Sequence, residues 1–149
     1  MTDAVLDASV LVKWFHSEGE EHVEQAHALR AQFEAGELRV LAPPLLWLEI
    51  VNVAARRWDF TQPKLEQLAK SLTNLGFEVV EPDIAAVASW AARGLTAYDA
   101  AYVAVAEQAG AELISDDEQI VRVAPKLTTT LAEAATAPEP GPDGPTEDR

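Results

Sequence analysis

The segment "AVLDASVLVKWF", residues 4 to 15, starts as a short apolar run, turns acidic at Asp7 and continues as a helix-like pattern. Further short runs of β-type residues follow along the chain, and longer helical patterns separate them. This alternation is the order expected of a parallel sheet whose crossover connections are helices. The sequence therefore predicts an α/β fold with a central, mainly parallel sheet of about five strands flanked by helices.

The limits of the predicted helices fall at residues that suit helix ends. Pro43 and Pro44 suit a first turn, because proline lacks the N–H that would be unpaired there. Thr61 and Thr96 suit the N-cap position, and Gly110 suits a helix stop. The predicted strands are residues 4–6, 38–43, 77–82, 111–115 and 126–130, and the predicted helices are 9–15, 20–34, 45–58, 61–75, 84–93 and 96–110.

The composition limits the class of protein. With 149 residues, 48% of them hydrophobic, the chain is long enough for one domain with its own core. The absence of cysteine excludes disulfides and thiolate metal sites. No apolar run approaches the roughly 20 residues that span a bilayer, and no secretory leader pattern opens the chain. We therefore expect a cytoplasmic protein.

The chain is strongly acidic, with a formal net charge of -14. This charge argues against a broad basic surface that holds nucleic acid by counterion release. Residues 1–132 are predicted to form the single domain, and residues 133–149 a disordered, acidic, proline-rich tail. The segment "APEPGPDGPTEDR" within this tail has too few large apolar side chains to offset the entropy of ordering.

Acidic residues end two of the predicted strands. Asp7 follows the first strand, and Asp116 and Asp117 follow the fourth, in "ELISDDEQIV". In an open parallel sheet the ligand crevice lies beyond the carboxyl ends of the strands, so neighbouring strands would bring these acids together. Two structural alternatives exist. Asp7 could simply cap the next helix, and residues 116–118 could form the acidic first turn of a short helix.

Glu49 and Asp99 lie on predicted helices. Glu49 stands in the apolar context "LLWLEIVNV", where a carboxylate is costly unless a cation or strong donors face it, so we expect a positive partner. The alternative is a position on a surface face of the helix, with pairing to Arg56 seven residues further on. Asp99 falls in the first turn after Thr96, where the helix dipole alone favours an acid.

Convergence of these acids would raise their pKa values unless a counterion were present. Mg²⁺ or Mn²⁺ is the fitting counterion, because hard divalent cations take carboxylate and water ligands and leave positions open for phosphate. The chemistry that follows is metal-assisted attack of water on a phosphodiester. A bound cation would also let an acidic protein hold a phosphate, with help from basic residues such as Lys13, Arg56 and Arg57.

Three motifs, "AVLDASVLVKWF", "LLWLEIVNV" and "LTAYDAAYVAVAEQAGAELISDDEQI", resemble in order and spacing the acidic motifs of PIN-domain ribonucleases. The resemblance is greatest to the VapC toxins of toxin-antitoxin pairs and covers about residues 3 to 131. It implies that Ser115 is the family's small hydroxyl residue and Asn52 its polar residue one turn after the glutamate. The residues that it implies as metal-binding catalytic acids are Asp7, Glu49, Asp99 and Asp117.

The resemblance also implies a wider set of properties. These are a homodimer, dependence on Mg²⁺ or Mn²⁺, cleavage of RNA, and inhibition by a cognate VapB-like antitoxin. The chain departs from the family pattern at Asp116, where a non-acidic residue is usual. Either Asp116 or Asp117 could therefore be the last metal ligand, and spacing favours Asp117.

Two other functions compete with the nuclease interpretation. "VLDAS" after a strand is similar to the nucleophile loop of haloacid-dehalogenase phosphatases, although Ser9 stands where those enzymes place a second aspartate, and Lys126 is the only late lysine. The second alternative is a non-catalytic module whose acids bind a basic peptide or a structural cation. No glycine-rich nucleotide-binding loop is present.

Overall fold

The central feature of the computed structural model, which describes residues 1–136, is a five-stranded parallel sheet of order β3-β2-β1-β4-β5. Its strands are β1 (Thr2–Leu6), β2 (Leu38–Ala42), β3 (Glu78–Val79), β4 (Glu112–Ile114) and β5 (Thr128–Thr129). All four strand pairings are parallel. The predicted α/β fold is confirmed.

Helices connect and flank the strands. They are α1 (Ala8–Phe15), α2 (Val23–Glu34), α3 (Leu45–Arg56), α4 (Gln62–Thr73), α5 (Ile84–Ala91), α6 (Ala97–Ala109), α7 (Glu118–Val123) and α8 (Leu131–Thr136). Pro44 precedes α3, Thr96 caps α6 through a hydrogen bond from the Asp99 N–H, and Gly110 ends α6 with a φ of 64°. These helix ends follow the sequence prediction. Proline has no N–H to leave unpaired, threonine accepts a hydrogen bond from a free N–H, and glycine adopts the left-handed conformation that ends a helix.

The two outer strands, β3 and β5, are shorter than predicted, with two residues each. Both residues of β3 are exposed, since this strand lies at the edge of the sheet and pairs only with β2. An edge strand needs no continuous apolar run. The prediction for β3 was too long because it included the apolar residues on either side of the strand.

The central strand β1 fixes the position of the site. Val5 and Leu6 are fully buried, as expected for a parallel strand covered on both faces. In the register of the sheet, Leu6 lies opposite Ile114, so the carboxyl ends of β1 and β4 stand side by side. The residues that follow them, Asp7 and Ser115, are therefore neighbours.

Helix α8 extends the ordered chain beyond residue 132, where the sequence predicted the tail to begin. Leu131 is fully buried, and its N–H donates to Asp116 Oδ1 at 3.0 Å. Thr130 Oγ1 accepts a hydrogen bond from the Glu133 N–H, which starts the helix. One anchoring leucine and a capping threonine are a weak sequence signal, so this helix was missed. The rest of the predicted tail, residues 137–149, lies outside the described residues.

Within residues 1–136, no helix is both long enough and apolar enough to cross a membrane.

Candidate active site

Asp7 is the most buried acid at the carboxyl edge of the sheet, with 4% of its surface exposed. Its Oδ1 accepts a hydrogen bond from Ser9 Oγ at 2.6 Å, and its Oδ2 accepts one from Ser115 Oγ at 2.5 Å. The side chain makes no capping hydrogen bond to α1. Capping therefore does not account for the main contacts of the Asp7 carboxylate, which are with the hydroxyl groups of Ser9 and Ser115.

The pKa of Asp7 is raised from 3.8 to about 6. Burial is the largest cause, because the charged form loses its hydration. The hydrogen bonds from Ser115 and Ser9 lower the pKa, and the negative charge of Asp117 raises it. The fold thus holds a carboxylate in a place that penalises its ionised form.

Asp116 and Asp117 are adjacent in sequence but have different surroundings. The Asp117 N–H donates to Ser115 Oγ at 3.0 Å, and Asp117 Oδ1 accepts hydrogen bonds from two N–H groups of α7 at 2.9 and 3.1 Å. Asp116 Oδ1 instead binds the N–H of Leu131, and its Oδ2 lies 3.4 Å from His22 Nδ1. Asp116 therefore anchors α8 and contacts the residue before α2.

Asp117 is coupled to the other acids of the site. Its charge raises the pKa of Asp7 and also that of Asp99, where burial is the larger cause. Asp117 is also the N-cap of α7, so the structural alternative for this stretch is partly correct. Capping occupies only its Oδ1, however, and leaves Oδ2 free of hydrogen bonds within residues 1–134.

Glu49 on α3 has a hydroxyl group as its partner within the protein. Tyr102 Oη of α6 donates a short hydrogen bond to Glu49 Oε1. Within the described residues Glu49 makes no ion pair with Arg56 or any other side chain, so the alternative of a pairing with Arg56 is wrong, and the expectation of a bound cation as its positive partner stays a prediction. A phenol satisfies a half-buried carboxylate without adding charge, and sequence spacing gave no sign that α6 would supply it.

The electrostatics of Glu49 follow from this contact. Its pKa is raised, first by burial and then by the charge of Asp99, while the Tyr102 hydrogen bond lowers it. The pKa of Tyr102 rises above the usual range of a phenol, through burial and the nearby acids. Tyr102 therefore remains a neutral donor at all physiological pH values.

Asp99 lies in the first turn of α6 and is partly buried. Its pKa is raised by burial and by Asp117, although a helix N-terminus favours a negative charge. The helix dipole alone therefore does not account for this acid. Mutual electrostatic effects connect four carboxylates in the site, those of Asp7, Glu49, Asp99 and Asp117.

The donor set of these acids fits a hard divalent cation. All its ligating atoms are oxygens. The charge of Asp117 raises the pKa of Asp7 and of Asp99, and the charge of Asp99 raises the pKa of Glu49, effects that a bound cation would reverse. Within residues 1–134, no three acidic or histidine side chains are arranged to hold a metal ion. A cation would therefore have to draw the side chains closer together than they lie in the structure.

Two of the basic residues considered for phosphate contact are engaged elsewhere. Lys13 is buried, and its Nζ donates to Glu20 Oε1 at 2.9 Å. Arg57 Nη2 lies 3.7 Å from Glu20 Oε2. Arg56 is exposed, as is Asn52, the polar residue one turn after Glu49. Glu20 thus pairs with two of these three cations, and within the described residues Arg56 makes no ion pair.

The fold and the acids at its carboxyl edge define an α/β domain with a carboxylate site, and the family model of the PIN domain matches residues 4–126. The chain belongs to the PIN domain family, whose members are nucleases that act on phosphodiester bonds. The resemblance seen in the sequence is confirmed at this level. The match favours a nuclease over the phosphatase alternative. No curated protein matches the chain significantly.

Solved structures share the fold. PAE2754 from Pyrobaculum aerophilum is 23% identical, with a TM-score of 0.63, over 90% of this chain and 94% of the other. A toxin-antitoxin complex from Klebsiella pneumoniae is 22% identical, with a TM-score of 0.60, over 86% and 97%. VapC20 from Mycobacterium tuberculosis, described as a toxin that cleaves the sarcin-ricin loop, is 14% identical, with a TM-score of 0.63, over 81% and 95%.

Proposed function

We propose that this PIN-domain protein is an endoribonuclease that depends on Mg²⁺ or Mn²⁺ and acts as the toxin of a type II toxin-antitoxin pair. The observation that carries the proposal is the electrostatic coupling of four carboxylates at the carboxyl edge of the sheet. A fold gains no stability from bringing buried carboxylates together, so the arrangement indicates a cationic ligand.

The structural neighbours support the choice of substrate and partner. One is a toxin that cleaves a ribosomal RNA loop, and another was solved as a toxin-antitoxin complex. On this basis the substrate would be RNA and the partner a VapB-like antitoxin. The family resemblance of the sequence adds a homodimer, and the composition of the chain adds a cytoplasmic location.

Asp7, Glu49, Asp99 and Asp117 would hold the cation, with Asp117 preferred to Asp116 because Asp116 is bound to α8. When bound, the cation would lower the pKa of a water molecule and stabilise the charge that develops on the phosphate. Ser9 and Ser115 fix the orientation of the Asp7 carboxylate through their hydroxyl groups. Tyr102 does the same for Glu49 and leaves its Oε2 free of hydrogen bonds within the described residues.

In the reaction, the oxygen of a water molecule forms a bond to phosphorus, and the bond from phosphorus to the leaving ribose oxygen breaks. The attacking water loses a proton and the leaving oxygen gains one. The carboxylates of the site are the proton acceptors that this chain offers at that place.

The test is a cleavage assay with purified protein and structured RNAs in Mg²⁺, in Mn²⁺ and in chelator. We expect cleavage in at least one metal, none in chelator, and none with Asp7→Asn in any buffer. Asp83→Asn is a matched control, since Asp83 is an exposed aspartate before α5. If Asp7→Asn cleaves as well as the unmodified protein, or chelator has no effect, the mechanism is wrong. If no RNA is cut but metal is bound, the non-catalytic module is the better description.

A further inference from the structure

Two exposed apolar side chains directly precede acids of the candidate site. Tyr98 comes before Asp99 on α6 and is 67% exposed, and Leu48 comes before Glu49 on α3 and is 72% exposed. Single exposed apolar side chains are normal on a folded domain, so the position of Tyr98 next to an acid of the candidate site, and not its exposure alone, makes it a candidate for substrate contact. The phenol of Tyr98 makes no hydrogen bond to any residue in the part of the chain that the structure describes.

The helix geometry places Tyr98 on the side of α6 that faces the site. Residues four apart lie on the same helix face, so Tyr98 shares a face with Tyr102, whose hydroxyl reaches Glu49 on α3. Tyr98 is one turn nearer the start of α6, and Thr96 caps that start at the edge of the sheet where the acids gather. Tyr98 is therefore an exposed residue one helical turn before Tyr102 and directly next to Asp99.

The charges of the protein favour a contact that does not depend on phosphate. The net charge is -14, and the cations Lys13 and Arg57 both pair with Glu20, while Arg39 pairs with acids of β1 and β3. Binding through counterion release is correspondingly weak. Stacking of a base on an aromatic ring supplies affinity without a positive charge and accepts any base.

We propose that Tyr98 is a positioning residue that stacks against a nucleobase beside the scissile phosphate of single-stranded or looped RNA. The proposal rests on the proposed function in taking RNA as the substrate. The two proposals are tested by different measurements: stacking is detected as RNA binding by a variant that cannot cleave, and nuclease activity as RNA cleavage by the unmodified protein.

The experiment measures binding of a labelled, short single-stranded RNA of mixed sequence to the Asp7→Asn protein in Mg²⁺ by fluorescence anisotropy. A second RNA of equal length carries abasic nucleotides in place of the central bases. Adding Tyr98→Ala should weaken binding of the first RNA about 10- to 100-fold and leave binding of the abasic RNA nearly unchanged. Tyr98→Phe should bind like the parent, because the ring rather than the hydroxyl makes the contact.

Val79→Ala is the matched control, since Val79 is an exposed apolar residue on the edge strand β3. Equal binding by Tyr98→Ala and its parent, an equal loss on both RNAs, or no measurable binding at all would overturn the proposal. A change of oligomeric state in Tyr98→Ala by light scattering would also overturn it and assign the ring to a contact between copies. Base-dependent binding without any RNA cleavage by the unmodified protein would support stacking and reject the nuclease.

Discussion

Replacing Asp7 with asparagine is expected to stabilise the metal-free protein while abolishing its activity. The pKa of Asp7 is 3.8 before and about 6 after burial, so its ionisation at neutral pH costs the folded state about 3 kcal/mol. The native state binds the proton more tightly than the unfolded state, so stability falls as pH rises from about 4 to about 6 and remains reduced above that range. Asparagine has no charge and removes this cost.

A smaller term opposes the gain. The pKa of Asp7 already includes the hydrogen bonds from Ser9 and Ser115, so the opposing term compares asparagine with the protonated carboxyl group. Asparagine has an NH2 group in place of the O–H, and a second buried N–H without an acceptor costs about 1 to 2 kcal/mol. The net gain at pH 8 is then about 1 to 2 kcal/mol, or a rise in Tm of roughly 3 to 6 °C for a domain of this size. The hydrogen-bond term does not depend on pH, so a comparison of two pH values isolates the ionisation.

The assay is thermal or urea unfolding of both proteins in chelator at pH 5 and pH 8. The advantage of Asp7→Asn should be larger at pH 8 by about 1.5 kcal/mol, because at pH 5 the folded protein still holds most of the Asp7 proton. Millimolar Mg²⁺ or Mn²⁺ should raise the Tm of the unmodified protein through mass action and raise that of Asp7→Asn less. A destabilisation of equal size at both pH values would refute the account of Asp7 as an uncompensated buried charge.

Other variants test the remaining parts of the site. Asp117→Asn should abolish cleavage. Asp116→Asn should retain cleavage within about tenfold, because an amide oxygen can still accept the hydrogen bond from Leu131. The reverse result would make Asp116 the metal ligand. Tyr102→Phe should reduce metal affinity about tenfold, measured by calorimetry, since outer hydrogen bonds orient metal ligands, and an unchanged affinity would reject its role. Leu131→Ala should cost about 2 to 5 kcal/mol in urea unfolding, as expected for a fully buried leucine; a loss under 1 kcal/mol would mean that α8 is not part of the core.

The sequence by itself determined the order of the five strands and of helices α1 to α6, together with the acids that follow β1 and β4. Short apolar runs, proline at the start of α3 and glycine after α6 are local signals. Each of them constrains the backbone of its own segment, whatever the rest of the chain does. The position of Asp7 after β1 and of Asp117 after β4 could be read in the same way, since residues that follow parallel strands share one edge of the sheet.

Only the tertiary structure decided which contacts the neighbouring acids make. Asp116 and Asp117 have the same chemistry and adjacent positions, and only the packing of α8 brings the Leu131 N–H to one of them. The partner of Glu49 is likewise a residue 53 positions away, on a helix that reaches it only when α3 and α6 flank the same sheet. Contacts between distant segments depend on how helices pack, and a single sequence carries no local pattern for that.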